Sequence, residues 1–180
     1  MTEPIKYSYK LVVIGDPSVG KTSLIRRYAD KKFDSSYLPT IGADFTIKKI
    51  VDQKPDGTPI EIVLAIWDMG GHQKFERIRD HYYLDSNAAL IVFDLTRKET
   101  YEHVDTWLED IRSHCENIPC IVLANKKDLP NRTISEDELD RFSSSTKIKV
   151  YETSALTGEH VNEIFEVIAK RCLESYDTPG

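Results

Sequence analysis

The stretch that decides the fold is GDPSVGKTS, residues 15–23, which lies between the apolar run KLVVIG (10–15) and KTSLIRRYAD (21–30), a segment with helical spacing. It matches the pattern of Gly, four residues, Gly-Lys and Ser or Thr that joins a strand to a helix. Backbone amides of such a loop point inward and can cradle phosphate oxygens. A glycine-rich turn with an unrelated lysine is disfavoured, because loop and context both fit. We therefore predict a phosphate-binding loop (P-loop) in an α/β fold.

Strand-like and helix-like segments alternate along the rest of the chain, which predicts a mainly parallel sheet flanked by helices. The further apolar runs that indicate buried strands are IEIVLAIWD (60–68), AALIVFD (88–94) and CIVLANK (120–126). The further amphipathic segments that indicate helices are YEHVDTWLEDIRSHC (101–115), EDELDRFSSS (136–145) and VNEIFEVIAKRCLES (161–175). Two strand-like runs flank the turn cluster KPDG (54–57), which predicts an antiparallel hairpin at one sheet edge. Segments 31–42 and 70–85 are predicted to be loops.

Length and composition favour one soluble domain. With 180 residues, the chain is long enough to bury about 70% of the surface that it exposes when unfolded. Its net charge of −6 argues against a nucleic-acid partner, because backbone binding needs dense Lys and Arg. Cys115, Cys120 and Cys172 match no metal-ligand spacing. With no apolar run near the ~18 residues of a membrane span and no signal-peptide pattern, we expect a cytoplasmic protein with reduced cysteines.

Two further motifs follow predicted strands. NKKD, residues 125–128, comes directly after the third of these runs, at the strand end where such sheets bind ligands. The Asp128 carboxylate can accept hydrogen bonds from N1–H and the exocyclic amine of guanine, a donor pair that adenine lacks. TSAL, residues 153–156, follows KVYE and could support Asp128 or contact the base. Taken singly, the first motif fits an exposed polar loop and the second an N-cap.

With GDPSVGKT, YLPTIGADF, WDMGG, NKKD and ETSAL in this order, the chain resembles the Ras-like small GTPases over nearly its whole length. TIGADF and DHYYLDSNAALIVFDLT are most similar to the Rab family. The resemblance implies a single G domain, residues 1–180, with a mixed, mostly parallel six-stranded sheet and helices on both faces. It also implies GTP or GDP with Mg²⁺ as ligands, GTP hydrolysis, and effector, exchange-factor and GAP partners in vesicle trafficking.

The resemblance assigns roles position by position. Thr22, Thr40 and Asp68 are the expected Mg²⁺ residues, and Lys21, Thr40, Gly71 and His72 are the expected catalytic residues. Gly71 and Thr40 would sense the γ-phosphate, so that both loops relax after hydrolysis. The expected nucleotide-binding residues are Asp16, Pro17, Ser18, Val19, Gly20, Lys21, Thr22, Ser23, Phe33, Tyr37, Thr40, Gly71, Asn125, Lys126, Asp128, Ser154, Ala155 and Leu156.

Two positions depart from the family pattern. His72 stands where the family carries a glutamine that orients the attacking water, and Pro17 stands at the P-loop position nearest the γ-phosphate. A neutral imidazole supplies only half of the amide's donor and acceptor functions, and proline narrows the room for an incoming arginine. We therefore expect slow hydrolysis; the alternatives are a GTP-holding interaction module and a solvent-facing His72. Neighbouring Gln73 is a less favoured substitute.

Four apolar residues, Ile41, Phe45, Trp67 and Tyr82, match the effector surface of Rab-like proteins, and their alternative role is core packing. The chain ends in CLESYDTPG without the terminal cysteine motif that Rab and Ras relatives usually carry. The sequence therefore leaves membrane association open, and a missing C-terminal tail is one explanation for the absence of this motif.

Overall fold

The computed structural model describes residues 3–31, 33, 39–72 and 76–177. Within these ranges six strands and six helices form one α/β unit. The strands are β1 (Ile5–Ile14), β2 (Ala43–Gln53), β3 (Pro59–Met69), β4 (Ala88–Asp94), β5 (Cys120–Asn125) and β6 (Lys149–Glu152). The helices are α1 (Lys21–Asp30), α2 (Glu76–Tyr83), α3 (Lys98–Glu102), α4 (Val104–His114), α5 (Glu136–Thr146) and α6 (Val161–Asp177).

The strands form one mixed sheet in the order β2-β3-β1-β4-β5-β6. All neighbours are parallel except β2 and β3, which pair antiparallel from Ala43 opposite Met69 to Gln53 opposite Pro59. The predicted six-stranded sheet and its edge hairpin are therefore confirmed. Because the parallel strands share one direction, the carboxyl ends of β1, β3, β4, β5 and β6 meet along one edge.

Both faces of the sheet are packed by helices, because successive side chains of a strand point to opposite sides. On one face Leu11 and Val13 of β1 pack with α1 and α6. There Tyr28 stacks on Phe165 with ring centroids 4.3 Å apart. On the other face Val12 and Ile14 pack with α2, α4 and α5. These two layers hold the sheet edge that carries the loops.

Three sequence predictions are corrected by the structure. Segment 70–85 contains a helix, α2, because its aromatic end packs into the core; Tyr83 is fully buried. Segment 101–115 is two helices that meet at His103, and the first of them begins earlier, at Lys98. The first strand begins at Ile5 rather than at residue 10, since its polar start pairs with β3. The other predicted elements match within two residues at each end.

The three cysteines are free thiols, two of them buried and Cys120 partly buried. Among the described residues, no helix has both the length and the apolar character needed to cross a membrane.

Candidate functional site

A cavity of about 330 Å³ opens at the edge where the parallel strands end. Most of the predicted nucleotide-binding residues line it, namely Pro17, Ser18, Gly20, Lys21, Thr22, Ser23, Phe33, Thr40, Gly71, Asn125, Lys126, Asp128, Ala155 and Leu156. His72 lines it as well, together with Arg26, Met69 and Leu129, which the sequence analysis did not select. Predicted Tyr37 and Gln73 lie outside the described residues.

The remaining predicted residues stand behind this lining. Asp16 lines a neighbouring cavity of about 840 Å³, which shares Pro17, Gly71 and His72 with the first one. Val19 is fully buried and contributes its carbonyl oxygen to the site. Asp68 and Ser154 are buried and act through hydrogen bonds to residues of the lining.

Lys21 is the charged centre of the P-loop. Its side chain is buried, and Nζ donates to the carbonyl oxygens of Gly15 at 2.8 Å and Asp16 at 2.7 Å. Burial lowers the pKa of Lys21 to about 8, an effect that the carboxylates of Asp68 and Asp16 partly offset. A buried ammonium group without a hydrogen-bonded counterion is costly, so this position favours an anionic ligand.

Thr22, Thr40 and Asp68 come together from three separate segments. The two threonine hydroxyls lie 3.0 Å apart, and both donate to Oδ2 of Asp68, Thr40 at 3.3 Å. Oδ1 of Asp68 is buried and has no hydrogen-bond partner in the described part of the chain. Burial raises the pKa of Asp68 against the opposing hydrogen bonds of the threonines. Oxygen donors around a desolvated carboxylate suit a hard divalent cation such as Mg²⁺.

The NKKD motif is joined to the P-loop by the side chain of Asn125. Its Nδ2 donates to the carbonyl oxygen of Val19 at 2.9 Å, and its Oδ1 accepts from the Thr153 hydroxyl at 3.1 Å. A Cβ on Gly20 would lie 2.3 Å from Nδ2 of Asn125, so only glycine allows this approach. Sequence reasoning placed both motifs at one site, and this amide is what connects them.

Asp128 and TSAL meet as predicted. The Ser154 hydroxyl donates to Oδ1 of Asp128 at 2.5 Å, which orients the carboxylate at the cavity. Arg27 of α1 donates from Nε to the Ala155 carbonyl oxygen at 2.7 Å and from Nη2 to that of Leu156. The segment that follows β6 is therefore held at two points. The Ser154 hydroxyl bonds it to Asp128, and Arg27 bonds it to helix α1.

Helix α4 anchors the P-loop through Asp16, a contact that sequence reasoning missed. Oδ1 of Asp16 accepts from Nε1 of Trp107 at 2.8 Å, and its Oδ2 lies 2.7 Å from Nδ1 of His103. Trp107 and His103 are 91 and 87 residues away in sequence, so no local pattern could have indicated the pairing.

Gly71 and His72 lie directly against the P-loop. A Cβ on Gly71 would lie 2.5 Å from the carbonyl oxygen of Gly15. The carbonyl oxygen of His72 accepts from Nη1 of Arg79 at 3.3 Å, and His72 lines both cavities. Arg79 is buried, with its guanidinium carbon 4.8 Å from the Trp107 ring centre. This arginine is a second residue that the sequence analysis did not identify.

Three of the four predicted effector residues contact one another through their rings. Phe45 and Trp67 stack with centroids 5.4 Å apart, and the ring centroid of Tyr82 lies 5.5 Å from that of Trp67. Phe45 and Ile41 are exposed by 56% and 82%, whereas Trp67 and Tyr82 are partly buried. Trp67 and Tyr82 therefore contribute partly to core packing, the alternative role considered for these residues.

Comparisons with known proteins identify the family of the chain. The sequence matches the model of the Ras family over residues 10–174. It is 34% identical to Ras-related protein Rab-7L1 of Homo sapiens over 93% of this chain and 83% of that protein. It is 38% identical to Ras-related protein Rab-32B of Dictyostelium discoideum over 96% of this chain and 67% of that protein. For Ras-related protein Rab-21 of Bos taurus the identity is 35%, over 94% and 75% of the two chains.

Members of this family are switches that bind GTP or GDP with Mg²⁺ and pass between effector-binding states. The P-loop, the Thr–Thr–Asp group and the base motif stand together at one cavity, and the family match spans all of them. The chain therefore belongs to the Ras family of small GTPases, and its similarity within that family is to the Rab proteins.

Proposed function

We propose that residues 1–180 act as one G domain that binds GTP or GDP with Mg²⁺, hydrolyses GTP slowly and thereby changes its affinity for effectors. The observation that carries the proposal is the convergence of three groups at one cavity. These are the buried Lys21, the cluster of Thr22, Thr40 and Asp68, and the base motif that ends in Asp128.

The phosphate end of the cavity supports nucleotide binding electrostatically. Lys21 supplies a positive charge to the β- and γ-phosphates, and their negative charge would offset the burial that lowers its pKa. Thr22 and Thr40 would hold Mg²⁺ directly and Asp68 would hold it through water, which could donate to the unpaired Oδ1 of Asp68. The bound Mg²⁺ supplies charge neutralisation at the phosphate oxygens.

The base end supports guanine rather than adenine. Asp128, oriented by Ser154, can accept two hydrogen bonds from guanine, whereas adenine lacks this pair of donors. Asn125 already bonds Val19 and Thr153, so its contribution is mainly to connect the base motif to the P-loop. Phe33, exposed by 38%, lines the cavity and would pack against the base.

The switch itself is assigned to Thr40 and Gly71. The Thr40 hydroxyl reaches the Mg²⁺ cluster, and Gly71 packs on the P-loop, so both residues are adjacent to the end of the cavity that would hold the γ-phosphate. Loss of that phosphate removes a ligand contact from each segment and frees both. Ile41, Phe45, Trp67 and Tyr82 lie next to these segments and would present the effector surface.

Slow hydrolysis follows from His72 and Pro17. Both line the cavity. The imidazole of His72 offers one donor and one acceptor where a glutamine amide offers more, and Pro17 has no backbone N–H. The same two residues favour the second candidate function, a GTP-holding module whose useful hydrolysis depends on a partner. In both cases, exchange factors and GAPs are the expected regulators, and peripheral association with membranes stays part of the proposal.

The test is single-turnover GTP hydrolysis with Mg²⁺ for the wild type and for His72→Gln, across about pH 5.5 to 8, where imidazoles titrate. Competition of GDP against ADP is measured first, since tight binding of GDP alone supports the base assignment. A measurable wild-type rate that falls toward the acid end of this range, where the rate of His72→Gln does not, supports slow hydrolysis by His72.

The matched control is His81→Gln, the same substitution at an exposed position of α2. If only His72→Gln hydrolyses GTP, the wild-type protein is better described as a module that holds GTP and depends on a partner for hydrolysis. Equal rates in all three proteins would remove His72 from the mechanism, and equal affinity for GDP and ADP would remove guanine recognition.

A further inference from the structure

The end of β4 lies between the two halves of the nucleotide site. In the sheet β4 stands between β1, which leads into the P-loop, and β5, which leads into the base motif. Any side chain at its carboxyl end is therefore placed to contact both motifs. Sequence reasoning identified the strand but gave its last residue, Asp94, no role.

Asp94 is a buried carboxylate that contacts Lys126 of the base motif. Its side chain is 1% exposed, and Oδ2 lies 2.7 Å from Nζ of Lys126. Oδ1 accepts from the N–H and hydroxyl of Thr96 at 2.9 and 2.7 Å. Burial alone would raise its pKa, but the ammonium group of Lys126 and the hydrogen bonds from Thr96 outweigh it and hold the pKa of Asp94 below its usual value. The carboxylate is therefore ionised at neutral pH.

Arg97 extends this arrangement to the P-loop. Its Nε lies 3.4 Å from Oδ2 of Asp94, and its Nη2 donates to the carbonyl oxygen of Pro17 at 2.9 Å. A hydrogen bond from a charged donor is stronger than a neutral one. Arg97 therefore contacts P-loop backbone across 80 residues of sequence.

The contact at Pro17 also sets the direction of the next amide. In a trans peptide the carbonyl bond and the following N–H bond lie in one rigid plane and point in opposite directions. Arg97 lies outside the cavity lining and Ser18 lies within it, so holding the Pro17 oxygen directs the Ser18 N–H away from Arg97. Ser18 has φ of 63°, a conformation that L residues adopt at a cost. An external anchor is what such a loop needs.

We propose that Arg97 is a positioning residue for the P-loop: held by Asp94 beside Lys126, it fixes the Pro17–Ser18 peptide and so pre-orients a phosphate-binding amide. The inference rests on the proposed function, because it names a determinant of how the same site holds the nucleotide. Proline at position 17 adds to the value of this contact, since its nitrogen has no hydrogen that could anchor the loop at that point.

The experiment compares Arg97→Met, which keeps much of the aliphatic stem, and Arg97→Lys, which keeps the charge, with the wild type. The matched control is Glu99→Gln, which removes an exposed carboxylate 3.9 Å from the same guanidinium but leaves the Asp94 and Pro17 contacts. Each protein is loaded with GDP and Mg²⁺. The readouts are the ³¹P resonances of the bound diphosphate, the GDP release rate and the melting temperature.

We expect Arg97→Met to shift the bound β-phosphate resonance and to release GDP about tenfold faster, a factor that corresponds to about 1.4 kcal/mol. Arg97→Lys should recover part of both effects, and Glu99→Gln should match the wild type. A lower melting temperature in Arg97→Met with unchanged resonances and release rate would mean a merely structural role and would overturn the inference.

The two levels of the proposal fail in different ways. If the wild type shows only free GDP, the proposed nucleotide-binding function is wrong and the Arg97 inference is overturned with it. If the wild type binds GDP and its resonances and release rate coincide with those of Arg97→Met, the Arg97 inference alone is wrong.

Discussion

Replacing Gly71 by Ala tests whether the loop after β3 works by direct contact with the P-loop. The added Cβ would lie 2.5 Å from the carbonyl oxygen of Gly15 and 2.6 Å from backbone atoms of Asp16 and Pro17. All three neighbours are backbone atoms, so no flexible side chain can move aside. To reach an ordinary contact of 3.4 Å, the loop must move by about 0.9 Å relative to the P-loop.

The size of that displacement sets the expected effect on the reaction. A misplacement of about 1 Å in a reacting group can cost about 100-fold in rate. We therefore expect Gly71→Ala to lower single-turnover GTP hydrolysis by about 100-fold. GDP binding should change much less, because the Lys21 and Asp128 contacts do not pass through Gly71.

The assay measures hydrolysis and GDP affinity for Gly71→Ala and for the control Gly57→Ala. Gly57 lies in the hairpin turn with φ of +85° and nothing within 4 Å of its added Cβ, so alanine there brings backbone strain without a clash near the site. The control should lose stability and keep its rate. The reasoning is refuted if Gly71→Ala binds GDP and hydrolyses GTP within about threefold of the wild type.

Three further substitutions test separate parts of the molecule. Ser135→Ala removes the capping box with Glu138 at the start of α5 and should lower the free energy of unfolding in urea by about 1 kcal/mol; no loss would mean that the cap is idle. Ser135 also holds the pKa of Glu138 below its usual 4.5, so that carboxylate's contribution is present above this pH and is lost below it. The stability gap between wild type and Glu138→Gln should therefore narrow on acidification, and a constant gap would contradict this. Mg²⁺ should slow GDP release from the wild type, and Asp68→Asn should reduce the ratio of the release rates without and with Mg²⁺ by about tenfold. An unchanged ratio would exclude Asp68 from the metal site. Phe165→Ala removes a buried ring stacked on Tyr28 and should cost about 3 to 5 kcal/mol in urea unfolding, with a loss under 1 kcal/mol speaking against that packing.

The sequence predicts the strands well where apolar runs are continuous. Residues 88–94 form β4 at the predicted bounds, and the hairpin around KPDG lies at the sheet edge as expected. Helix α2 was not predicted, because its eight residues have a short and mostly polar pattern. Its helical state depends on packing of Tyr83 into the core, which local spacing does not reveal.

The motifs and the family resemblance predicted most of the residues that line the cavity, but not Arg26, Met69 and Leu129. Short patterns such as GDPSVGKTS and NKKD carry their own geometry, because glycines and polar side chains at fixed spacing bind the same groups in any chain that folds this way. The residues that hold those motifs in place came only from the tertiary structure. Arg97 reaches Pro17 across 80 residues, and Trp107 reaches Asp16 across 91. Such contacts depend on the order of strands in the sheet, which brings distant segments together and leaves no periodic trace in the sequence.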